Sequence, residues 1–231
     1  MIQVRRGGER YRGGDRDVGI ESLHAFSFGP HYDPDNLRFG ALIACNEERL
    51  AAGAGFDEHP HRDTEIVTWV IEGELTHRDT AGHETTVRPG DLQRLSSAGG
   101  VRHVERNAGT APLRFVQMWL AERPRDAGRT GHDGDEPSYE LVREIADGTP
   151  YPVPRAGAVL HLRRLADGGR TAVPDAARGY LHVVRGAVRL GDVRLEAGDA
   201  ARITDGKGLE LTGLAASECL VWEMGAEPGS G

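Results

Sequence analysis

Cysteine, lysine and aromatic side chains are scarce in this chain. Its 231 residues include two cysteines, Cys45 and Cys219, far apart and each in an apolar setting. Thiolate metal sites need more cysteines at closer spacing, so that class is excluded. Two buried free thiols are expected rather than a disulfide. Lys207 is the single lysine, and the acidic residues outnumber the basic ones to give a formal net charge of -8. That lacks the basic excess of a nucleic-acid surface, and no direct nucleic-acid partner is expected. No apolar run approaches the length of a membrane span, so no membrane contact is expected either. The opening MIQVRRGGERYRGG has no apolar stretch behind its charges. The expectation is therefore no signal peptide and a cytoplasmic location.

Long stretches of helical periodicity are also missing; EPSYELVREIA at 137–147 is the best single candidate for a helix. What the chain has instead is glycine, 32 of them, between short β-branched and apolar runs. LHAFSFG at 23–29 reads as a strand, and LRFGALIACNEERL at 37–50 begins as one. TEIVTWVIEG at 64–73 is the strongest strand signal. THRD and ETTV form the arms of an expected hairpin turning at Thr80-Ala81-Gly82, and RPGD at 88–91 is a tight turn. APLRFVQMWLAE at 111–122 is another strand. Short strands at close spacing argue for an all-β barrel or sandwich. A charged, Gly-rich, apolar-poor stretch near 123–137 divides the chain. A faint repeat links the halves: VIEGEL…RPGD in the first is echoed by VVRGAVRL…EAGD in the second. The expected organisation is two β-barrels, 1–125 and 139–231, joined by a linker at 126–138, the second barrel shortened.

The chemistry concentrates in two clusters. His59 and His61 sit one residue apart in GFDEHPHRD, and alternate residues of a strand share a face. His103 and Glu105 repeat that spacing in GGVRHVERN. Three imidazoles and one carboxylate suit a divalent first-row metal and leave coordination positions open for water, dioxygen or substrate. Glu65 has the parity of His59 and His61, so it is expected to face inward as well, as a ligand, as a partner that orients an imidazole, or simply salt-bridged at the rim. Parity alone leaves Glu65 and Glu105 open as rivals for the carboxylate position. His77 and His83 read as surface or hydrogen-bonded residues. His161 and His182 have no histidine or acid two residues on and make no second site. For Phe56, Trp69, Phe115 and Trp119, core packing is expected, although each could line a pocket.

These residues resemble a known family. Gly53, then His59-x-His61, then Glu65 follows the first signature of the cupin superfamily, and His103-x3-Asn107 follows the end of the second. LHAFSFG, GFDEHPHRDTEIVTWVIEGELTHRDT, RPGDLQRLSSAGGVRHVERN and FVQMWL resemble the pirin family more narrowly, over most of residues 15–122. The chain departs from the pattern at three places. The Glu65–Gly73 spacing is one residue longer, Ala98 replaces a proline, and Val104 replaces a serine common in pirins.

The resemblance implies two jelly-roll cupin barrels in tandem, the second degenerate. It implies one metal ion held by His59, His61, His103 and Glu105, with Fe(II) the usual ion. Ni, Cu, Co, Mn or Zn suit the same donors. It also implies quercetin 2,3-dioxygenase activity, an oxidoreductase acting on a flavonol and dioxygen, with Glu105 or Glu65 as catalytic base. The alternative is a metal- or redox-sensing protein that regulates a protein partner. A monomer is the family-like expectation.

Overall fold

The computed structural model describes residues 1–123 and 136–226. Among them lie 21 strands and three short 3-10 turns, with no α-helix. In chain order the first twelve strands are β1 Ile2–Arg5, β2 Tyr11–Gly13, β3 Ile20–His24, β4 Leu42–Leu50, β5 Gly55–His61, β6 Thr64–Glu72, β7 Leu75–Asp79, β8 Glu84–Val87, β9 Leu92–Ser96, β10 Val101–Arg106, β11 Leu113–Ala121 and β12 Ser138–Val142. The remaining nine are β13 Pro150–Val153, β14 Ala158–Leu165, β15 Arg170–Ala172, β16 Ala176–Arg185, β17 Ala187–Leu190, β18 Val193–Glu196, β19 Ala200–Gly206, β20 Glu210–Gly213 and β21 Ser217–Met224.

The strands form two compact units. One holds residues 11–37 and 42–145. Its sheets have the orders β12-β9-β6-β11-β4-β3-β2 and β5-β10-β7-β8. Val70, Leu113, Phe115, Ile20 and Leu50 of the first sheet pack with Leu75 and Val87 of the second. The other unit holds residues 1–10, 38–41 and 146–231, in sheets β1-β19-β16-β21-β14-β13 and β15-β20-β17-β18. There Leu181, Val183, Ile203 and Val221 meet Val188, Leu190, Leu195 and Leu211 across the core. Each such side chain, taken fully out of water, contributes about 1.5–3 kcal/mol.

The echoed sequences occupy equivalent corners. Gly73, at φ 79, carries the chain from β6 into β7, and Gly186, at φ 74, carries it from β16 into β17. A Cβ on Gly186 would lie 2.2 Å from the Ala216 carbonyl oxygen, and one on Gly73 2.7 Å from that of Pro112. Only glycine fits both the dihedral and the space. The two Gly-Asp turns match as well. Asp91 accepts from the Arg88 N–H, the Glu144 N–H and the Arg143 guanidinium. Asp199 accepts from the Glu196 N–H, the Gly7 N–H and the Arg6 guanidinium.

Three expectations are corrected. Residues 138–142 are the edge strand β12, paired to β9, not part of a helix; Tyr139 and Leu141 alternate inward and join the first unit's core clusters. The strand expected over 23–29 ends at His24. The unit boundaries differ from 1–125 and 139–231 at both ends. Strand β1 pairs with β19 and belongs to the second unit, and β12 belongs to the first. Most of the expected linker, from 126 to 135, lies outside the described residues.

Candidate metal centre

Antiparallel pairing of β5 with β10 sets His59 opposite His103 and His61 opposite Val101. A register shift between His103 and Glu105 follows. On its other side β10 pairs with β7, setting His103 opposite Asp79 and Glu105 opposite His77. Two-residue periodicity then turns His59, His61, His103, Glu105 and His77 to one face. Asn107, just past β10, ties the turn after β10 to the end of β4 and the turn that leads into β5. Its amide donates to the carbonyls of Leu50 at 3.0 Å, Ala51 at 3.1 Å and Ala111 at 2.8 Å, and its oxygen accepts from Gly109 at 3.1 Å.

The three imidazoles converge. Ring centroids lie 4.9 Å apart for His59–His61, 4.5 Å for His59–His103 and 4.8 Å for His61–His103. One ligand nitrogen from each lies within 4.8 Å of the others. His59 Nδ1 is 2.7 Å from the Asp57 carbonyl. A carbonyl only accepts, so Nδ1 carries the proton and Nε2 keeps its lone pair. That Nε2 faces His103 Nε2 at 3.0 Å. His61 Nε2 is buried and makes no hydrogen bond. Burial, reinforced by the neighbouring imidazoles, pushes both His61 and His103 down to about 4, although Glu105 works the other way on each. At neutral pH these rings are uncharged, the form that binds metal.

Glu105 is 1% exposed. Burial alone would raise its carboxyl, but His103, His77 and the amides of Gln117 and Gln93 outweigh it and hold the group below the usual range. It stays a carboxylate. Glu105 forms a group with His103 and His77 whose ligand atoms also lie within 4.8 Å. His77 is the residue that local spacing misses. It is hydrogen-bonded, one of its two expected readings, its Nε2–H donating to Asp79 Oδ2 at 3.1 Å, but it is fully buried rather than superficial. Its place follows only from the pairing of β7 with β10, which no local pattern reveals. His83, also on Asp79 at 2.9 Å, is the half-exposed hydrogen-bonded residue expected.

Glu65 does not face these residues. Asp63, at φ 52, breaks the chain between β5 and β6 and resets the alternation. On β6, Thr68 accepts from Gln93 and Gln117, and Ile66 packs with Val101. Glu65, of opposite parity, turns to the other face. There Ser96 Oγ donates to it at 2.6 Å, with Arg94 at 3.9 Å. Its expected roles as ligand or base are withdrawn on that geometry. Trp119 departs from plain core packing: its ring stands edge-on to His61 at 4.8 Å and to Phe28 at 5.2 Å. Trp69 and Phe115 are core, as expected. In the second unit, His161 pairs with Glu223 at 2.9 Å and His182 is buried. The candidate metal groups among the described residues all lie in the first unit.

An all-β chain of two double-sheet units, with one His/Glu cluster that could hold a metal ion, is a two-domain cupin. The Pirin family profile matches residues 8–120, and a Quercetinase C-terminal cupin domain profile matches 156–224. The chain belongs to the pirin family. It is 41% identical over 222 residues to a Mycobacterium tuberculosis protein named "Putative quercetin 2,3-dioxygenase Rv0181c", covering 91% of this chain and 90% of that one. It is 31% identical to the Escherichia coli K12 protein named "Quercetin 2,3-dioxygenase", covering 97% and 99%. Among solved structures, E. coli bacterial pirin YhhW in complex with nickel(II) superposes with a TM-score of 0.84 at 30% identity, covering 97% of this chain and 99% of that one.

Proposed function

We propose that this protein is a metal-dependent dioxygenase that opens the ring of a flavonol such as quercetin, with release of carbon monoxide. The carrying observation is the convergence of three histidines, two of them held neutral by burial and one with a buried nitrogen left unbonded, beside a buried carboxylate. A buried lone pair without a donor is costly, and a cation relieves it. The residues therefore fit a divalent ion, with His59, His61, His103 and Glu105 as its holders. Fe(II) is the ion the family likeness suggests, and the related bacterial pirin YhhW is described in complex with nickel(II). When bound, such an ion would supply Lewis acidity that lowers a phenolic pKa and a common anchor for substrate and dioxygen.

The protein's own part is positional. The Asp57 carbonyl fixes the His59 tautomer, so its Nε2 points toward His103. Glu105 stays ionised and accepts two amide donors, which suits a ligand better than a base. Trp119 and Phe28 give an apolar aromatic edge beside His61, complementary to a flat ring system and able to exclude water.

Metal analysis of the purified protein, followed by aerobic incubation with quercetin, tests this reading. Oxygen uptake with carbon monoxide release should appear, and should vanish in His59→Ala. Full metal occupancy without turnover of any flavonol would overturn it and favour a metal-sensing role.

A further inference from the structure

Glu105 is held by a symmetrical frame. Gln93 Nε2 donates to Glu105 Oε1 at 3.2 Å, and Gln117 Nε2 donates to Oε2 at 2.7 Å. Each amide nitrogen also donates to Thr68 Oγ1, at 3.4 and 3.3 Å, so both N–H groups of each are engaged. The carbonyl end of each glutamine is fixed by an aromatic donor. Trp119 Nε1–H donates to Gln117 Oε1 at 2.9 Å. Tyr139 O–H donates to Gln93 Oε1 at 3.1 Å and is hydrogen-bonded to the Thr85 hydroxyl.

The donors at the ends decide which way the amides point. An indole N–H only donates, so the atom facing Trp119 must be the Gln117 oxygen. The nitrogen then faces Glu105. At the other end the Glu105 carboxylate only accepts, so the Gln93 nitrogen faces it and the Gln93 oxygen is left to take the tyrosine proton. Tyr139 is itself a strong keeper of that proton; burial pushes it up to about 12. Neither amide can turn over without setting its oxygen against the carboxylate. Glu105 is thus fixed in position and charge by neutral groups, with no cation in the frame to compete with a metal.

We propose that Gln93 and Gln117, locked by Tyr139 and Trp119, are positioning residues that set the metal affinity of Glu105. The inference rests on the reading of Glu105 as a ligand. Tyr139 lies on β12, which follows the stretch dividing the chain, so a residue outside both histidine clusters reaches the centre through one amide. Removing a group that orients a ligand typically lowers metal affinity about 10–100-fold.

The test is Co(II) binding by the metal-stripped full chain, measured by competition with a chelator and by the Co(II) absorption spectrum. Gln93→Met and Gln117→Met should each weaken binding about 10–100-fold. Tyr139→Phe, which removes one oxygen, should weaken it less. In a Gln93→Met background Tyr139→Phe should have no further effect, because it acts through Gln93. Affinities and spectra equal to the parent's, or effects of Tyr139→Phe and Gln93→Met that add in full, overturn the proposal. A parent chain that binds no Co(II) overturns the metal reading and this inference with it. A parent that binds, with binding lost in His59→Ala but unchanged in the frame variants, overturns the inference alone.

Discussion

Acidification should weaken the metal-free fold between pH 6.5 and about 4, and one substitution should make the fall steeper. His61 and His103 titrate near 6.5 when unfolded and at about 4 when folded. Above 6.5 both states leave them neutral and stability is complete. Below it the unfolded chain takes up protons that the folded chain refuses, so stability is lost as pH falls through the window. Glu48 runs the other way. Burial pushes its carboxyl up to about 7 despite the Ser22 hydroxyl that it accepts from. Between pH 7 and 4.5 the folded chain holds a proton there that the unfolded chain has released. Two histidines against one carboxyl leave a net excess of about one proton on the unfolded chain. Each proton is worth about 1.4 kcal/mol per pH unit. His24, also lowered by burial, adds in the same direction. The Glu48→Gln variant removes the opposing group and should roughly double the slope. Urea unfolding of the chelator-treated protein at half-unit steps from pH 7.5 to 4.5 measures it. Stability that is flat or rises on acidification, or a Glu48→Gln slope shallower than the parent's, would refute the reasoning.

Asn107→Ala deletes four hydrogen bonds, one buried and three partly buried, and should cost about 3–4 kcal/mol at about 1 kcal/mol each. Asn107→Asp should unfold at least as readily, because it aims a carboxylate at three carbonyls; a melting temperature within a degree of the parent's in either variant contradicts this. Glu65→Gln should leave metal content near the parent's while Glu105→Gln lowers it, checked by metal analysis after dialysis; the reverse order would reinstate Glu65.

The histidine strands were legible because their signal is local. A run such as TEIVTWVIEG specifies a strand by composition, and HPH and HVE specify a shared face by spacing alone. The hairpin turning at 80–82 was equally local. Glu65 misled because alternation holds only within one strand, and Asp63 ends that strand with a left-handed residue that carries no glycine to announce it. His77 escaped because its neighbours, His103 and Glu105, lie across a strand pair whose register is a tertiary fact. YELVREI reads as helix at a period near four and as strand at a period of two; pairing with β9 decides between them. The glutamine frame follows the same rule: Gln93, Gln117 and Tyr139 meet from three strands with no spacing in common.

The first strand has a consequence for the order of assembly. The amino group of Met1 bonds to Thr204 across 203 residues, and β1 completes the sheet edge beside β19. A chain emerging from the ribosome makes this strand long before its partner β19. Until β19 is synthesised, the N-terminal segment has an exposed ladder and nothing to pair with, a long loop closure that slows folding and leaves an open edge. The unit with the histidine cluster waits in its turn for β12 before its own sheet is complete. A deletion of β1 therefore strikes the unit without the candidate metal cluster, and a cut before β12 strikes the unit that has it.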